Sequence, residues 1–440
     1  MTLLLADVEL EGDLVDVRVA GGKVVEIGRS LSSAGQVIEG RGGSLLPGLH
    51  DHHLHLFALA AALQSVDCSQ SLDGLATATP REGWVRGFGV AGSPSRHELD
   101  DVRRDVPVRV QHRGGAMWVL NSAALREVAS VLDDSGDVER DTMGQPTGRL
   151  FRYDARLRDV LPSTPPDLSV VVAQLHRYGI TGVTDATPDL MPEAVATLTS
   201  VAGLSVTLLG GAEGPRKLLL RDHDLPTYAD LLAIVEETRA AGRPVAVHCV
   251  TRESLVLTLA VLREVGSVPG DRIEHAAVVP PELTADIRDL DLAVVTQPSF
   301  LRLRGDDYLR DVDPVDVPCL YPYASLIEAG VRVTASSDAP YGELDPWRSI
   351  QDATQRMSGS GQILGVTERV SFEVALAGYL SPPQDPGGPP RRVTVGSRAD
   401  LCLLTGNPGA EGSRVRAVVA GGRLVLNSDV DQVASASSGS

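Results

Sequence analysis

Between residues 227 and 338 the chain repeatedly switches hydrophobic period, and this alternation constrains the fold more than any other feature. Thr227-Tyr228-Ala229-Asp230 has the form of a helix-capping box, an acid three places after a hydroxyl residue. Leu231, Ile234, Val235 and Thr238 then hold the i, i+3, i+4, i+7 stripe of an amphipathic helix. Gly242 suits the left-handed residue that ends a helix, and Pro244 forbids its continuation. The apolar run 244–250 follows as a buried strand. A second helix over about 253–265 leads to a short strand at 272–275, a helix at 281–290 feeds a strand at 292–296, and a helix at 324–329 feeds a strand at 331–335. Strands separated by helices do not pair as hairpins. The repetition predicts an α/β fold with a parallel sheet, closed as a (β/α)₈ TIM-like barrel. Earlier strands are expected at 45–56, 108–112 and 181–186. The fourth falls at 205–210 or 217–220, and 84–90 competes for second place.

Both ends read differently. Val15-Asp16-Val17-Arg18-Val19 and Val24-Val25-Glu26-Ile27-Gly28 flank Gly21-Gly22, and Val415 to Ala420 runs through Gly421-Gly422 into Arg423-Leu424-Val425. A Gly pair between alternating runs is a hairpin signal. The two ends are therefore expected to build one small β-sandwich, 1–47 with 386–427, around a barrel at 48–385 and ahead of a disordered tail at 428–440. Proline-rich loops are expected at 163–166 and 381–390. A chain of 440 residues suits one large barrel with a small added domain, and 43% hydrophobic against 22% charged residues supplies its core. The net charge of −18 argues against nucleic acid as a partner and against a polybasic membrane mode. Met1 to Asp7 has no basic region of the signal-peptide kind, and no apolar run approaches the roughly 18 residues of a membrane span. Four widely spaced cysteines point to a reduced, cytoplasmic protein. A small-molecule substrate is the expected partner, and a homo-oligomer is compatible with this reading.

The polar residues that carry chemistry fall at strand ends, where barrels of this kind place catalysis. Asp51-His52-His53-Leu54-His55 ends the first strand; residues two apart share a face, so His53 and His55 can grip one ion. His248 and His275 end two later strands, and Asp338 follows the last in Ser336-Ser337-Asp338-Ala339-Pro340. Each alone has an ordinary alternative, a core hydrogen bond for the histidines and loop capping for Asp338. Their conjunction suits a divalent metal, with zinc the expected ion. Cys249 beside His248 reads as hydrophobic packing rather than as a nucleophile.

The stretch Leu46-Pro47-Gly48-Leu49-His50-Asp51-His52-His53-Leu54-His55 resembles the Pro-Gly-x-x-Asp-x-His-x-His signature of the amidohydrolase superfamily. Within it, the chain is most similar to the amidohydrolase family 3 group that includes N-substituted formamide deformylases. Trp118-Val119-Leu120-Asn121, Gly179 to Asp185, Arg272-Ile273-Glu274-His275, Ser337-Asp338-Ala339-Pro340 and Gly396 to Leu401 extend the likeness in the family's order. The resemblance implies hydrolysis of an amide, formamide or cyclic amide C–N bond by a metal-activated water. It implies that Lys217, in Gly214-Pro215-Arg216-Lys217-Leu218, is carboxylated and bridges two ions, although some relatives use one. His53, His55 and Lys217 would hold one ion, His248 and His275 a second or the substrate, and Asp338 would shuttle the proton. A surface role is the alternative for Lys217.

Two departures leave the substrate open. Relatives commonly carry Asp-Gly-His ahead of the Trp-x-x-Asn segment, whereas this chain reads His112-Arg113-Gly114-Gly115-Ala116-Met117, so that His112, Arg113 and Trp118 become the substrate-binding candidates. The Gly-Asp that follows the fifth-strand histidine is replaced by Cys249-Val250. The same scaffold also admits deamination of a heterocycle, metal-assisted decarboxylation, or a noncatalytic, metal-bearing assembly protein.

Overall fold

The structure, a computed structural model, describes residues 2–33, 35–162 and 165–429. It divides into two compact units, Met1–His55 with Val172–Ser440, and Leu56–Val171. Residues 430–440 of the expected tail, and Ser163 and Thr164 of the first proline-rich loop, lie outside the described residues. Asp429, expected in the tail, is described, and its carboxylate accepts from Arg416 at 3.0 Å.

The two ends of the larger unit meet in a seven-stranded sheet. Its order is Arg423–Asn427, Val415–Ala420, Leu401–Leu404, Gln36–Pro47, Thr2–Leu10, Asp13–Ala20 and Lys23–Gly28. The seam between the ends is antiparallel, with Leu401 opposite Pro47 and Leu403 opposite Leu45. Leu3, Leu5, Val17, Val19, Leu45, Leu403, Ala417 and Val419 bury one shared core. Both Gly pairs make the hairpin turns that their sequence predicts, with φ of +57° and +79° at 21–22 and +56° and +79° at 421–422. The two turns also touch: a Cβ on Gly422 would lie 2.6 Å from the Gly22 Cα. The sheet thus folds over until its outer hairpins meet.

Eight parallel strands occupy the rest of the larger unit. Ser205–Leu208, Ile180–Asp185 and Leu49–Leu54 form one sheet; Arg216–Leu219, Val245–Cys249, Arg272–His275, Ala293–Thr296 and Arg332–Ala335 form the other. Backbone hydrogen bonds join the two sheets at both edges, Lys217 N to Leu209 O at 2.9 Å and Asp338 N to His53 O at 2.8 Å. The helices between the later strands follow their sequence signals. Thr227 accepts from Asp230 N at the start of Tyr228–Ala240, and Thr251 with Ser254 boxes the start of Arg252–Val265. Both candidates for the fourth strand are used, as the third and fourth strands.

The smaller unit takes the strands expected early in the barrel. Val85–Val90 and Val108–His112 belong to its six-stranded sheet, which runs Val138–Arg140, Pro146–Phe151, Met117–Leu120, Val108–His112, Val85–Val90 and Val66–Asp67. The turn at Gly115, with φ of +78°, sends Val108–His112 back antiparallel along Met117–Leu120. A hairpin partner takes the edge that a parallel neighbour would need. Leu75, Val85, Leu99, Val108, Val110 and Val119 form one of this unit's cores. Among the described residues no helix is long and apolar enough to cross a membrane.

Candidate metal centre

The first parallel strand, Leu49–Leu54, is buried along its whole length, and this carries the His-rich segment inside. His53, His55 and Asp338 each bring a ligand atom within 4.8 Å of the others. The Nε2 atoms of His53 and His55 lie 3.5 and 3.3 Å from Asp338 Oδ1. The opposite ring nitrogens are engaged elsewhere, His53 Nδ1 with the Glu274 carboxylate and His55 Nδ1 with Thr187 Oγ1 at 3.1 Å. A carboxylate can only accept, so His53 carries its proton on Nδ1 and presents the Nε2 lone pair to the centre. Metal-ligating histidines are oriented in this way by outer partners.

His275 and His248 continue the cluster. The His275 ring lies 4.9 Å from that of His53 and 4.4 Å from that of His248, centroid to centroid. His275 Nδ1 donates to Gln297 Oε1 at 2.8 Å, and Gln297 passes the chain on to Ser336 Oγ at 2.9 Å. Again the free lone pair is on Nε2. Neither ring belongs to the 4.8 Å group.

Lys217 is buried on the fourth strand, and its Nζ has no hydrogen-bond partner. Burial lowers its pKa, against the opposing pull of Glu274 and Asp338. An amine kept dry and unpaired is costly in either protonation state, which fits a site completed by a group that the chain does not itself supply. Three of the imidazoles are held neutral by the same enclosure: burial first, then the Lys217 charge, brings His53 to about 3, burial and His275 bring His248 to about 2, and burial lowers His275. Burial alone would raise Asp338, but His55, His53 and His275 pull it below the usual carboxylate range. Neutral imidazoles, an ionised carboxylate and an unpartnered amine together form a donor set that fits a divalent cation.

The backbone adapts to bring these groups together. Asp338 and His275 sit in the left-handed region at φ of +52° and +70°, the latter followed by Ala276 at +48°. Such conformations cluster where local geometry serves a site. Asp51 ties the two ends of the centre, its Oδ1 accepting from His53 N at 3.1 Å and from Ser337 N at 3.2 Å. Burial pushes its carboxyl up to about 6 despite the hydrogen bonds from Ser337 and His53.

All six candidates for the metal centre belong to the larger unit; His112, Arg113 and Trp118 belong to the smaller. His112 Nδ1 accepts from Gly114 N at 3.0 Å, shaping its own turn, and Arg113 N donates to Val90 O. Trp118 is in that unit's core, with its indole donating to Asp154 at 2.9 Å and the Arg86 and Arg109 guanidiniums over its ring at 5.3 and 5.2 Å. These contacts give Trp118 a packing role. Glu274, Gln297 and Thr187 enter only with the structure. Glu274 had a signal in its position beside His275, but strict strand alternation sends the two to opposite faces.

The family model described as "Amidohydrolase family" matches residues 36–426, and the chain belongs to that family. It is similar to an N-substituted formamide deformylase of Arthrobacter pascens, 25% identical over 89% of this chain and 90% of the relative. It is also similar to a putative amidohydrolase, YtcJ, of Bacillus subtilis, 24% identical over 83% of this chain and 85% of that one. A crystal structure of a metal-dependent hydrolase from Pyrococcus horikoshii shares the fold, with a TM-score of 0.70, 20% identity, and coverage of 97% of this chain and 100% of that one. As a member of that family, the chain is a hydrolase.

Proposed function

We propose that the chain hydrolyses the C–N bond of a small amide or N-substituted formamide at a zinc centre held by His53, His55 and Asp338, in the mouth of a closed (β/α)₈ barrel. The observation that carries this reading is the convergence of Nε2 atoms. His53 and His55 each have Nδ1 engaged by an outer partner and turn Nε2 toward Asp338 Oδ1. The hydrogen bonds that join the two parallel sheets at both edges support closure. The formamide deformylase among the relatives supports the substrate class.

A divalent cation bound there supplies Lewis acidity and lowers the pKa of its water from about 15.7 to about 7. The chain's own groups do the rest. Asp338 Oδ1 faces the two imidazoles, which leaves Oδ2 to take the proton from the attacking water and return it to the departing nitrogen. His275, fixed through Gln297, and His248 would hold a second ion or orient the substrate carbonyl. Lys217, buried and unpartnered, would add CO₂ with loss of a proton to give a carbamate, and its oxygens would then serve as metal ligands. His112 and Arg113 remain proposed substrate contacts, and the four free cysteines support a reducing, cytoplasmic setting.

The test is metal analysis of protein purified without chelators, followed by turnover of a panel of N-substituted formamides and cyclic amides. Zinc near one or two ions per chain, with activity lost on chelation and regained on zinc addition, is expected. Full activity in metal-free protein would refute the reading.

A further inference from the structure

The reaction outlined above makes no use of Glu274, yet Glu274 is fully buried beside the proposed centre. Both of its oxygens are committed. Oε1 accepts from Arg272 Nε; Oε2 accepts from Arg272 Nη2 at 3.1 Å and from His53 Nδ1. Arg272, itself buried, reaches across from the sixth strand to the first and donates through Nη2 to His52 O at 2.7 Å. Residues two apart on an extended strand share a face, so Arg272 and Glu274 project together toward the His-rich strand. The pair thus grips that strand twice, once on the backbone at His52 and once on the ring of His53.

Buried ion pairs are expensive to desolvate, and well-packed apolar side chains in their place are often as stable or more so. Stability alone is therefore a weak reason for this one. What an apolar pair could not do is choose the tautomer of a neighbouring imidazole. We propose that Glu274, held by Arg272, is a positioning residue that locks His53 as the Nδ1–H tautomer and aims its Nε2 at the metal. This inference rests on the reading of His53 as a ligand. Gln297 plays the corresponding part for His275 with a neutral oxygen. Glu274 differs in carrying charge into the site, where it also acts on Lys217. Removing the carboxylate frees the His53 ring to take either tautomer and to turn, so that a competent donor is presented only part of the time.

The test uses cobalt(II) as both probe and ligand. Full-length parent, Glu274→Ala and Glu274→Gln are loaded with cobalt(II), and affinity is read by competition with a chromophoric chelator, alongside the visible d–d spectrum. Loss of an outer partner of a metal histidine typically weakens metal binding by about 10–100-fold. Glu274→Ala is expected to fall in that range with an altered spectrum. Glu274→Gln, which keeps an acceptor but opposes a second donor to Arg272, is expected to lie between Ala and parent. A merely structural role would lower the melting temperature while leaving the spectrum and affinity of the folded fraction unchanged, and that result overturns the proposal. Should Glu274→Ala fail to fold, Glu274→Met, which fills the same space without an acceptor for His53 Nδ1, decides by the same readouts, and parental affinity and spectrum in it overturn the proposal. A parent that takes up neither cobalt nor zinc fails at an earlier point, removing the metal reading itself and this inference with it.

Discussion

Asp51 offers a quantitative test of how the centre is held. Its Oδ1 accepts from the backbone N–H groups of His53 and Ser337, so one carboxylate oxygen ties the end of the first strand to the loop that carries Asp338. Asp51→Ala leaves both buried donors without an acceptor, at about 1–3 kcal/mol each, or roughly 2–6 kcal/mol together. A second effect runs the other way. Burial raises this carboxyl from 3.8 to about 6, and a shift of some two units means that keeping it ionised at neutral pH costs about 3 kcal/mol, since one unit is worth about 1.4 kcal/mol. Any neutral replacement relieves that cost, so it cancels when two neutral variants are compared. Asp51→Asn keeps an oxygen for the two N–H groups and sheds the cost of the buried charge, so it should be at least as stable as the parent. Asp51→Ala should be less stable than Asp51→Asn by the full 2–6 kcal/mol or so. For a chain of 440 residues, with an unfolding entropy of roughly 2 cal/mol/K per residue, that is a melting-temperature gap of about 2–7 °C. Calorimetry on chelator-treated protein at pH 7.5 reads it without stabilisation from metal. Ala and Asn variants that melt within half a degree of each other would show that the two N–H groups do not depend on Asp51.

Three further outcomes are expected. Asp338→Asn should stay folded, keep most of its metal and lose at least roughly 10²-fold in turnover of any amide that the parent cleaves; parental rates would move the proton role to another group. Lys217→Ala should lose metal and activity and recover part of both with added acetate or propionate, and a variant with full metal content and rate would eliminate the bridging carbamate. His176 is buried with Nε2 against Gly203 O at 2.8 Å, and burial lowers its pKa below 6.5. A depressed histidine contributes stability that is present above the unfolded value and lost as pH falls through the folded one. The parent's melting temperature should therefore drop faster than that of His176→Gln on acidification below pH 6.5, and parallel curves would contradict the assignment.

The second half of the chain was the most legible. The Thr227 cap lies where the apolar period changes, so the helix and strand that follow it separate cleanly, whereas the helices Ser299–Asp311, Pro346–Gln355 and Phe372–Leu380 were not anticipated. The first half was not, because 84–90 and 108–112 are short apolar runs whose composition says nothing about the direction of their neighbours. Val108–His112 runs parallel to Val85–Val90, as a barrel strand would, and only the Gly114-Gly115 hairpin sets it antiparallel to Met117–Leu120. At the site, the inward-facing histidines and Asp338 stood out because chemistry limits what such residue types do together. Glu274 did not, because the alternation rule assumes extended backbone, and His275 at φ of +70° departs from it. Its function depends on a ring more than two hundred positions earlier, a pairing that no local pattern encodes.

The seam between Gln36–Pro47 and Leu401–Leu404 also sets a schedule for synthesis. The earlier strand leaves the ribosome long before its partner exists, and it runs almost directly into Leu49–Leu54, the strand that carries the His-rich segment. Until residue 401 emerges, Leu45 and Leu46 present an unpaired apolar edge, the kind that recruits chaperones or a second nascent chain. Emergence of the final strands is thus registered by closure of a sheet remote in sequence from most of what it vouches for. Ribosome-bound chains halted at residue 400 should be cut by protease within 36–47, and chains extended past 427 through a linker that clears the exit tunnel should not; equal protection of the two would break the link between that edge and the final strands.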